Sequence, residues 1–256
     1  MKNKLLVLLV AIIVMASAVL ISCSQAVSTS DIKTLKAGVL TVGSDCTWAP
    51  MEFVEGDKIV GFDVDITAAI AEKLGLKLDY QNTAWDGMFP AVAAHKFDMV
   101  ISSITITDDR KKEMDFSDPY YNVNQSVTVK QDSGVDSAAK LDGKKIGVQI
   151  GTTGEMEAKK ITGATVNTYD DIIMAFEDLQ AGRVEAIICD SIVGDYYAVK
   201  NPGFMTGFKI ETNEAYGMGF AKDTPELVKV VNSALAAIKE DGTYDKIFET
   251  WFGAQK

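Results

Sequence analysis

Small polar and charged residues follow several apolar segments of this chain, at the points where each segment would end as a strand. The groups concerned are Ser44-Asp45, Ser102-Ser103, Gly151-Thr152-Thr153 and Cys189-Asp190. Hydroxyl groups, backbone N–H groups and carboxylates can together bind a small polar molecule by hydrogen bonds. In open α/β sheets, ligands bind beyond the carboxyl ends of the strands. The spacing therefore predicts a binding site assembled from several strand ends.

Arg110 and Asp190 carry the most specific chemistry among the candidate residues. A guanidinium can donate two parallel hydrogen bonds to a planar carboxylate. Asp190 follows an apolar strand, which should place its carboxylate at the sheet edge. Each residue also has a structural explanation: Arg110 stands beside Lys111 and Lys112 and could belong to an exposed basic run, and Asp190 could cap the next helix. Spacing alone leaves both roles open.

The residue types that most catalytic and metal sites need are scarce. His95 is the only histidine, and Cys23, Cys46 and Cys189 are the only cysteines. A zinc site or a Ser-His-Asp triad therefore has almost no material, and we predict no metal, no cofactor and no catalytic residue. The formal net charge is −11, and no basic stripe exists to replace phosphate counterions, so nucleic acid is not an expected partner.

The N-terminus has the layout of a secretory signal. Lys2 and Lys4 precede an uncharged apolar run, Leu5 to Ile21, which is the charged-then-apolar order of such signals. The run ends in Leu20-Ile21-Ser22-Cys23, which resembles the cleavage box of bacterial lipoproteins. An uncleaved membrane anchor is the alternative, and both place the rest of the chain outside the cytoplasm, tethered to a membrane. The predicted segments are a signal peptide at 1–22, a lipid on Cys23 and a polar tether at 23–35.

A regular alternation of strands and helices begins after the tether. One block of this rhythm precedes residue 102 and a second runs from about residue 145 to 199, followed by two C-terminal helices. Such alternation implies βαβ units with mostly parallel sheets, and two blocks indicate two lobes. The predicted helices are those within 61–75, 86–95, 170–181, 190–199, 225–239 and 244–251, with a further helix that starts at about Gly154. The predicted strands are 39–42, 76–80, 97–101, 145–149, 166–169 and 184–188, with a hairpin at 52–61.

Four separated motifs resemble the polar amino-acid family of extracytoplasmic solute-binding proteins. They are GFDVDITAAIAEKLG (61–75), ITITDDRKKEMDFSDPYY (104–121), the Gly-Thr-Thr-Gly loop (151–154) and DGTYDKIFETWFG (241–253). They occur in the family's order and cover essentially the chain from Lys36 to Gly253. The resemblance implies an α/β protein with the two-lobed periplasmic-binding-protein fold (type II), two hinge crossovers and a ligand cleft between the lobes.

The same resemblance implies a division of the chain and a function. Lobe 1 is expected to be discontinuous and lobe 2 to carry the hinge strands at its ends; the expected ranges are 36–121 with 217–256 for lobe 1 and 122–216 for lobe 2. The implied function is capture of a polar amino acid by lobe closure and delivery to the permease of an ABC importer. A monomer is expected, and the alternatives are a dehydratase-like cleft enzyme or a sensor-type module on this fold.

The resemblance also implies roles for individual residues. Arg110 would bind the amino acid's α-carboxylate and Asp190 its α-ammonium. The first lobe would add hydroxyl and N–H donors to the carboxylate, and the second lobe would add the start of a helix, whose N–H groups and dipole favour anions. These further ligand-binding residues are Ser102, Ser103 and Thr105 on the first lobe and Thr152 and Thr153 on the second.

Four positions match those that surround the substrate's side chain in the family: Asp45, Trp48, Trp85 and Gln149. The two tryptophans could cover the faces of a long side chain, with cation–π attraction for a cation. Asp45 offers an acceptor-only carboxylate, and no extra lysine or arginine stands at these positions, which argues against an acidic substrate. Arginine or another basic amino acid is therefore favoured, with glutamine next. Glu155 is the only carboxylate near the cleft left without a role.

Three other features have structural explanations. Asp63 and Asp65 lie in the first turn of a predicted helix, where carboxylates favour the positive dipole end, so we expect capping and packing. Trp251 should pack within a lobe. Cys46 and Cys189 neighbour site residues on different lobes, and a disulfide between them would lock the hinge, so we expect them to remain unpaired.

Overall fold

The computed structural model describes residues 32–253 of the 256-residue chain. Strands and α-helices alternate through most of this range. The strands are β1 (Val39–Ser44), β2 (Thr47–Trp48), β3 (Glu52–Glu55), β4 (Lys58–Val60), β5 (Lys77–Asn82), β6 (Met99–Val100), β7 (Asp115–Phe116), β8 (Tyr121–Lys130), β9 (Lys145–Gln149), β10 (Thr165–Tyr169), β11 (Ala186–Asp190), β12 (Phe204–Tyr216) and β13 (Gly219–Phe220). The helices are α1 (Phe62–Lys73), α2 (Trp85–Ala93), α3 (Arg110–Glu113), α4 (Thr153–Ala158), α5 (Ile172–Ala181), α6 (Ser191–Lys200), α7 (Pro225–Glu240) and α8 (Thr243–Phe252).

The first sheet has the strand order β5-β1-β6-β13-β7. β1 pairs in parallel with β5 and β6, and β13 joins them antiparallel between β6 and β7. Leu40 and Val42 of β1 are fully buried, as expected for a strand with helices on both faces of its sheet. Since β13 starts 103 residues after the end of β7, this sheet draws its strands from two separate parts of the chain.

The second sheet has the order β10-β9-β11-β8-β12. β9 pairs in parallel with β10 and β11, whereas the long β8 and β12 run antiparallel. β8 starts and β12 ends at one residue pair, Tyr121 with Tyr216, so the chain leaves the first sheet and returns to it side by side. The expected two-lobed α/β architecture with two crossovers is confirmed, while the exact lobe boundaries at 121/122 and 216/217 stay a prediction.

The first lobe's core explains the C-terminal motif. Phe62 at the start of α1 is fully buried, and the rings of Tyr244, Phe248 and Phe252 on α8 lie within 5.1–6.2 Å of its ring, centroid to centroid. Aromatic side chains bury much apolar area, so these contacts fix α8 against α1. Trp251 confirms the packing role expected of it, because its Nε1 donates to Asp65 Oδ2 at 2.8 Å.

Two details of the first lobe differ from the sequence expectation. The helix predicted over 86–95 is α2, which starts at Trp85 and ends at Ala93, so that Pro90 falls beyond its first turn. The strand predicted over 97–101 pairs only at Met99 and Val100. On either side of these two residues, Asp98 N and Ile101 N still donate to Thr41 O and Gly43 O of β1, at 2.9 and 3.1 Å.

Between residues 32 and 253, the structure contains no helix with the length and apolar character that a bilayer crossing requires. The predicted signal peptide, Cys23 and most of the tether lie outside the described residues.

Candidate functional site

Arg110 connects the two lobes. It is the first residue of α3, and its Nη1 donates to Thr105 O at 2.8 Å while its Nη2 donates to Gly151 O, on the second lobe, at 3.1 Å. Its Cζ lies 5.2 Å from the centroid of the Trp85 ring. Burial lowers the pKa of Arg110, and the nearby Asp190 and Glu214 oppose this shift. Half-buried in this way, Arg110 is not part of an exposed basic run.

Asp190 lies at the end of β11 and is 4% exposed. It occupies the N-cap position of α6, but its side chain makes no capping hydrogen bond. Instead Oδ1 accepts a short hydrogen bond from Gln125 Nε2 on β8. Burial raises the pKa of Asp190 to about 7; the charge of Glu214 adds to this rise, and the Gln125 hydrogen bond and the Arg110 charge oppose it. The carboxylate is therefore directed toward the crossover strands, not toward its helix.

The threonine loop presents the N-terminus of α4. Thr152 is the N-cap residue, since its Oγ1 accepts from Glu155 N at 3.2 Å and donates to Gln149 O at 2.8 Å. Thr153 Oγ1 donates instead to Glu214 at 2.7 Å. Glu155 is also engaged, because it accepts from Gly151 N at 2.7 Å and pairs with Lys159. The Glu155 carboxylate therefore stabilises the threonine loop.

The serine loop is held by two buried carboxylates. Ser102 Oγ donates to Glu52 Oε1 at 2.8 Å and accepts from Asp45 N at 3.0 Å. Ser103 has a φ of 49°, and its N–H donates to Asp63 Oδ2 at 3.0 Å. Glu52 and Asp63 are both fully buried; burial raises the pKa of Asp63 to about 6 and that of Glu52 well above its usual range, where the charge of Asp63 adds to the effect.

Of the capping and packing expected for Asp63, the packing is confirmed by its full burial, whereas it makes no capping hydrogen bond. Gly61 occupies the N-cap position of α1, and no side chain makes a capping hydrogen bond there. Asp63 points inward instead and also accepts from Tyr120 OH at 2.8 Å, directly before the first crossover strand. Burial and two donors determine its position, not the helix dipole.

Asp45, Trp48 and Gln149 form one cluster across the cleft. Gln149 Nε2 donates to Asp45 Oδ2 at 2.6 Å, and Trp48 Nε1 donates to Gln149 Oε1 at 2.5 Å. Burial raises the pKa of Asp45 to about 6, against the effect of hydrogen bonds from Gln149 and Thr47. Trp48 packs within a cluster of second-lobe side chains. Trp85 lies apart from this group, beside Phe89 and Arg110.

Sequence reasoning missed Glu214, the half-buried carboxylate at the centre of the site. It lies on β12, and its Oε2 accepts from Thr105 Oγ1 and Thr153 Oγ1, both at 2.7 Å. These hydroxyls come from the two different lobes. No strand was predicted over 204–216, so the sequence pattern did not indicate that the Glu214 side chain faces the cleft. The hinge crossovers implied by the family resemblance could have indicated Glu214, because strands that join two lobes lie at the bottom of the cleft.

Other candidate chemistry is absent from the described part of the chain. Cys46 and Cys189 are buried free thiols in this structure. Burial raises the pKa of Cys46 to about 12 and that of Cys189 well above its usual value, so neither is a reactive thiolate. Among residues 32–253 no three histidine, cysteine, aspartate or glutamate side chains are arranged to hold a metal ion.

The profile of the bacterial extracellular solute-binding proteins, family 3, matches residues 40–254 of the chain. The L-cystine-binding protein TcyJ of Escherichia coli K12 is 34% identical over 227 residues, 87% of this chain and 85% of that protein. The arginine-binding extracellular protein ArtP of Bacillus subtilis strain 168 is 34% identical over 263 residues, 100% of both chains. An ancestral arginine-binding protein solved bound to glutamine is 42% identical with a TM-score of 0.82, covering 85% of this chain and 99% of its own.

Proposed function

The chain belongs to the bacterial extracellular solute-binding proteins of family 3, and we propose that it binds a polar amino acid and delivers it to the permease of an ABC importer. One observation carries the proposal: Arg110 of the first lobe reaches across the cleft to Gly151 O at 3.1 Å, and the second lobe has the buried carboxyl group of Asp190 at the end of β11. The two are not directly bonded to each other, since Arg110 donates to carbonyl oxygens and Asp190 accepts from an amide. An amino acid carries a negative carboxylate and a positive ammonium group, so it could bind Arg110 with one end and Asp190 with the other.

In this proposal Arg110 receives the α-carboxylate, and Asp190 receives the α-ammonium. Ser102, Ser103 and Thr105 line the first lobe's side, and Thr152 and Thr153 the second lobe's side. Only a conformation with the lobes together satisfies both charged ends of the ligand, so binding favours closure. In this proposal the two lobes are joined by β8 and β12.

A basic amino acid is the substrate class that the cleft's charge supports best. Among the described residues assigned to the site, the carboxylates of Asp45, Asp190 and Glu214 outnumber the one cation, Arg110. A ligand with a cationic side chain reduces this excess, whereas a neutral one leaves it unchanged. Asp45 and Gln149 supply acceptors for a guanidinium or ammonium beside the Trp48 ring, whereas Trp85 lies against Arg110. Among the relatives, ArtP is named for arginine, an ancestral arginine-binding protein was solved with glutamine, and TcyJ is named for L-cystine; the first two support arginine and glutamine as candidates without ranking them.

The experiment is a thermal-shift screen of the common amino acids and L-cystine, followed by calorimetry on the hits with wild type and Asp45→Asn. We expect arginine to bind best and Asp45→Asn to weaken it about ten-fold, because a charge-assisted hydrogen bond becomes a neutral one. Glutamine should change far less. A wild type that prefers glutamine or cystine, or an unchanged arginine affinity in Asp45→Asn, would exclude the basic-substrate assignment. Mass spectrometry of the recovered ligand tests the dehydratase alternative, since an enzyme would return a product.

We also propose that the mature chain is anchored to the outer face of a membrane through lipid on Cys23. The support is the lipoprotein-like box Leu20-Ile21-Ser22-Cys23 after the apolar run. Mass spectrometry of the mature N-terminus should find an acylated cysteine, and Cys23→Ala should abolish it. An unmodified wild-type N-terminus would disprove this anchor without affecting the binding assignment.

A further inference from the structure

One nitrogen atom in the cleft is surrounded by more acceptors than it can satisfy. Gln125 Nε2 contacts Asp190 Oδ1 closely, Thr153 Oγ1 at 3.1 Å, and Glu214 Oε1 and Oε2 at 3.2 and 3.4 Å. An amide nitrogen carries only two hydrogens, whereas an ammonium carries three and a full positive charge. The arrangement of these oxygens therefore suits an ammonium group better than the amide.

The two carboxylates at this point have no cation of their own. In the range 32–253, no lysine, arginine or histidine nitrogen lies within 4.0 Å of a carboxylate oxygen of Asp190 or Glu214. Buried charges are normally paired, because an unpaired one is costly. The mutual repulsion contributes to the raised pKa of Asp190. A cation placed between the two would remove this repulsion.

The side-chain oxygen of Gln125 gives a second indication that this position lacks a binding partner. Its side chain is fully buried, and within the described residues its Oε1 has no hydrogen-bond partner. Buried amides normally satisfy both ends. Glu214, in contrast, can be reached from outside, because an open groove of about 980 Å³ is lined by Thr105, Thr153 and Glu214. The Glu214 carboxylate is therefore open to solvent on the side of that groove, which neither Asp190 nor Arg110 lines.

We propose that Glu214 is a further ligand-binding residue, which together with Asp190 receives the α-ammonium group of the amino acid. This inference rests on the proposed function. It assigns the ammonium one carboxylate from the second lobe's β11 and one from the crossover strand β12. Recognition of the amino group thereby involves the hinge as well as the lobe.

The experiment compares two ligands that differ only in the α-amino group: L-arginine and 5-guanidinopentanoate. Each is titrated by calorimetry against wild type, Glu214→Gln and the exposed control Glu240→Gln, which removes the same charge from the end of α7. We expect Glu214→Gln to weaken arginine about ten- to hundred-fold, the range for a charge-assisted hydrogen bond, and to leave 5-guanidinopentanoate unchanged or bound more tightly. If the screen selects another amino acid, that amino acid and its own des-amino analogue are used.

Each other outcome counts against the inference. Equal weakening of both ligands would mean that Glu214 only supports the cleft, and tighter arginine binding would mean that it competes with the ligand's carboxylate for Thr105 and Thr153. A wild type that binds no amino acid would overturn the proposed function, which is a separate and visible result. If thermal unfolding finds Glu214→Gln misfolded, Glu214→Asp replaces it; this variant withdraws the carboxylate by one methylene and should lower the arginine-to-analogue affinity ratio in the same direction.

Discussion

The two lobes hold their parts of the site in different ways. On the first lobe, Ser102 and Ser103 are held from behind by Glu52 and Asp63, two carboxylates that no solvent reaches. On the second lobe, Asp190 has its close hydrogen bond with Gln125, a side chain of the crossover strand β8. The first lobe's donors thus depend on the interior of their own lobe, and the second lobe's acceptor depends on the hinge.

This difference indicates what each lobe contributes to binding. Ser103 adopts a positive φ, uncommon for a residue other than glycine, and Asp63 holds its N–H in that conformation. Such prior ordering lowers the entropic cost of binding. Asp190, in contrast, has a pKa raised to about 7, so its charge depends on the surroundings. The first lobe offers a fixed shape, and the second offers a charge that responds to the ligand and to pH.

We expect the largest effect from substitutions that remove a charged residue of the site from either lobe. Loss of one member of a desolvated charge pair costs roughly 3–5 kcal/mol, on the order of 10² to 10³ in affinity. We therefore expect Arg110→Ala and Asp190→Ala each to lose nearly all amino acid binding by calorimetry, with circular dichroism unchanged. Wild-type affinity in either variant would show that this residue does not bind the amino acid. The charged residue of the other lobe would then contribute more to the affinity.

The second prediction tests the first lobe's buried support. Asp63→Ala leaves Ser103 N–H and Tyr120 OH without their acceptor, and an unsatisfied buried polar group costs about 1–3 kcal/mol. We expect the free energy of unfolding in urea to fall by about 2 kcal/mol. Asp65→Ala, at the half-buried carboxylate two residues away, is the matched control and should cost less. If both substitutions cost the same, Asp63 has no special part in holding the serine loop.

The smallest effect concerns pH and the second lobe. The ionised form of Asp190 binds an ammonium, and its pKa is raised to about 7, so affinity should rise with pH through 7 and level off above it. Between pH 8 and pH 6 we expect arginine affinity to fall about ten-fold, as the ionised fraction drops. Asp45→Asn should retain this fall, because it leaves Asp190 intact. If the wild-type affinity for arginine does not change between pH 6 and pH 8, Asp190 does not titrate near pH 7 as proposed.

Most elements could be predicted because their patterns are local. β9 was predicted with the bounds it has, and α5 to within two residues, since buried side chains recur at strand or helix spacing and Gly182 ends the helix. The crossover strand β12 could not be predicted in this way. Its pairing with β8 is interrupted at Thr206/Phe208 and Ile210/Glu214, and such irregularities break the two-residue alternation on which strand prediction depends.

The sequence by itself determined which polar groups stand at strand ends, among them Asp45, Thr153 and Asp190, because chain order places them directly after buried segments. Only the tertiary structure decided which interior groups support them. Glu52 meets Ser102 across 50 residues, Gln125 meets Asp190 across 65 and Glu214 meets Thr105 across 109. Such contacts arise when two sheets and two crossover strands pack together, and no local spacing encodes them. Asp63, expected from the sequence to cap a helix, therefore supports the serine loop, and Glu214, for which the sequence predicted no role, accepts hydrogen bonds from Thr105 and Thr153.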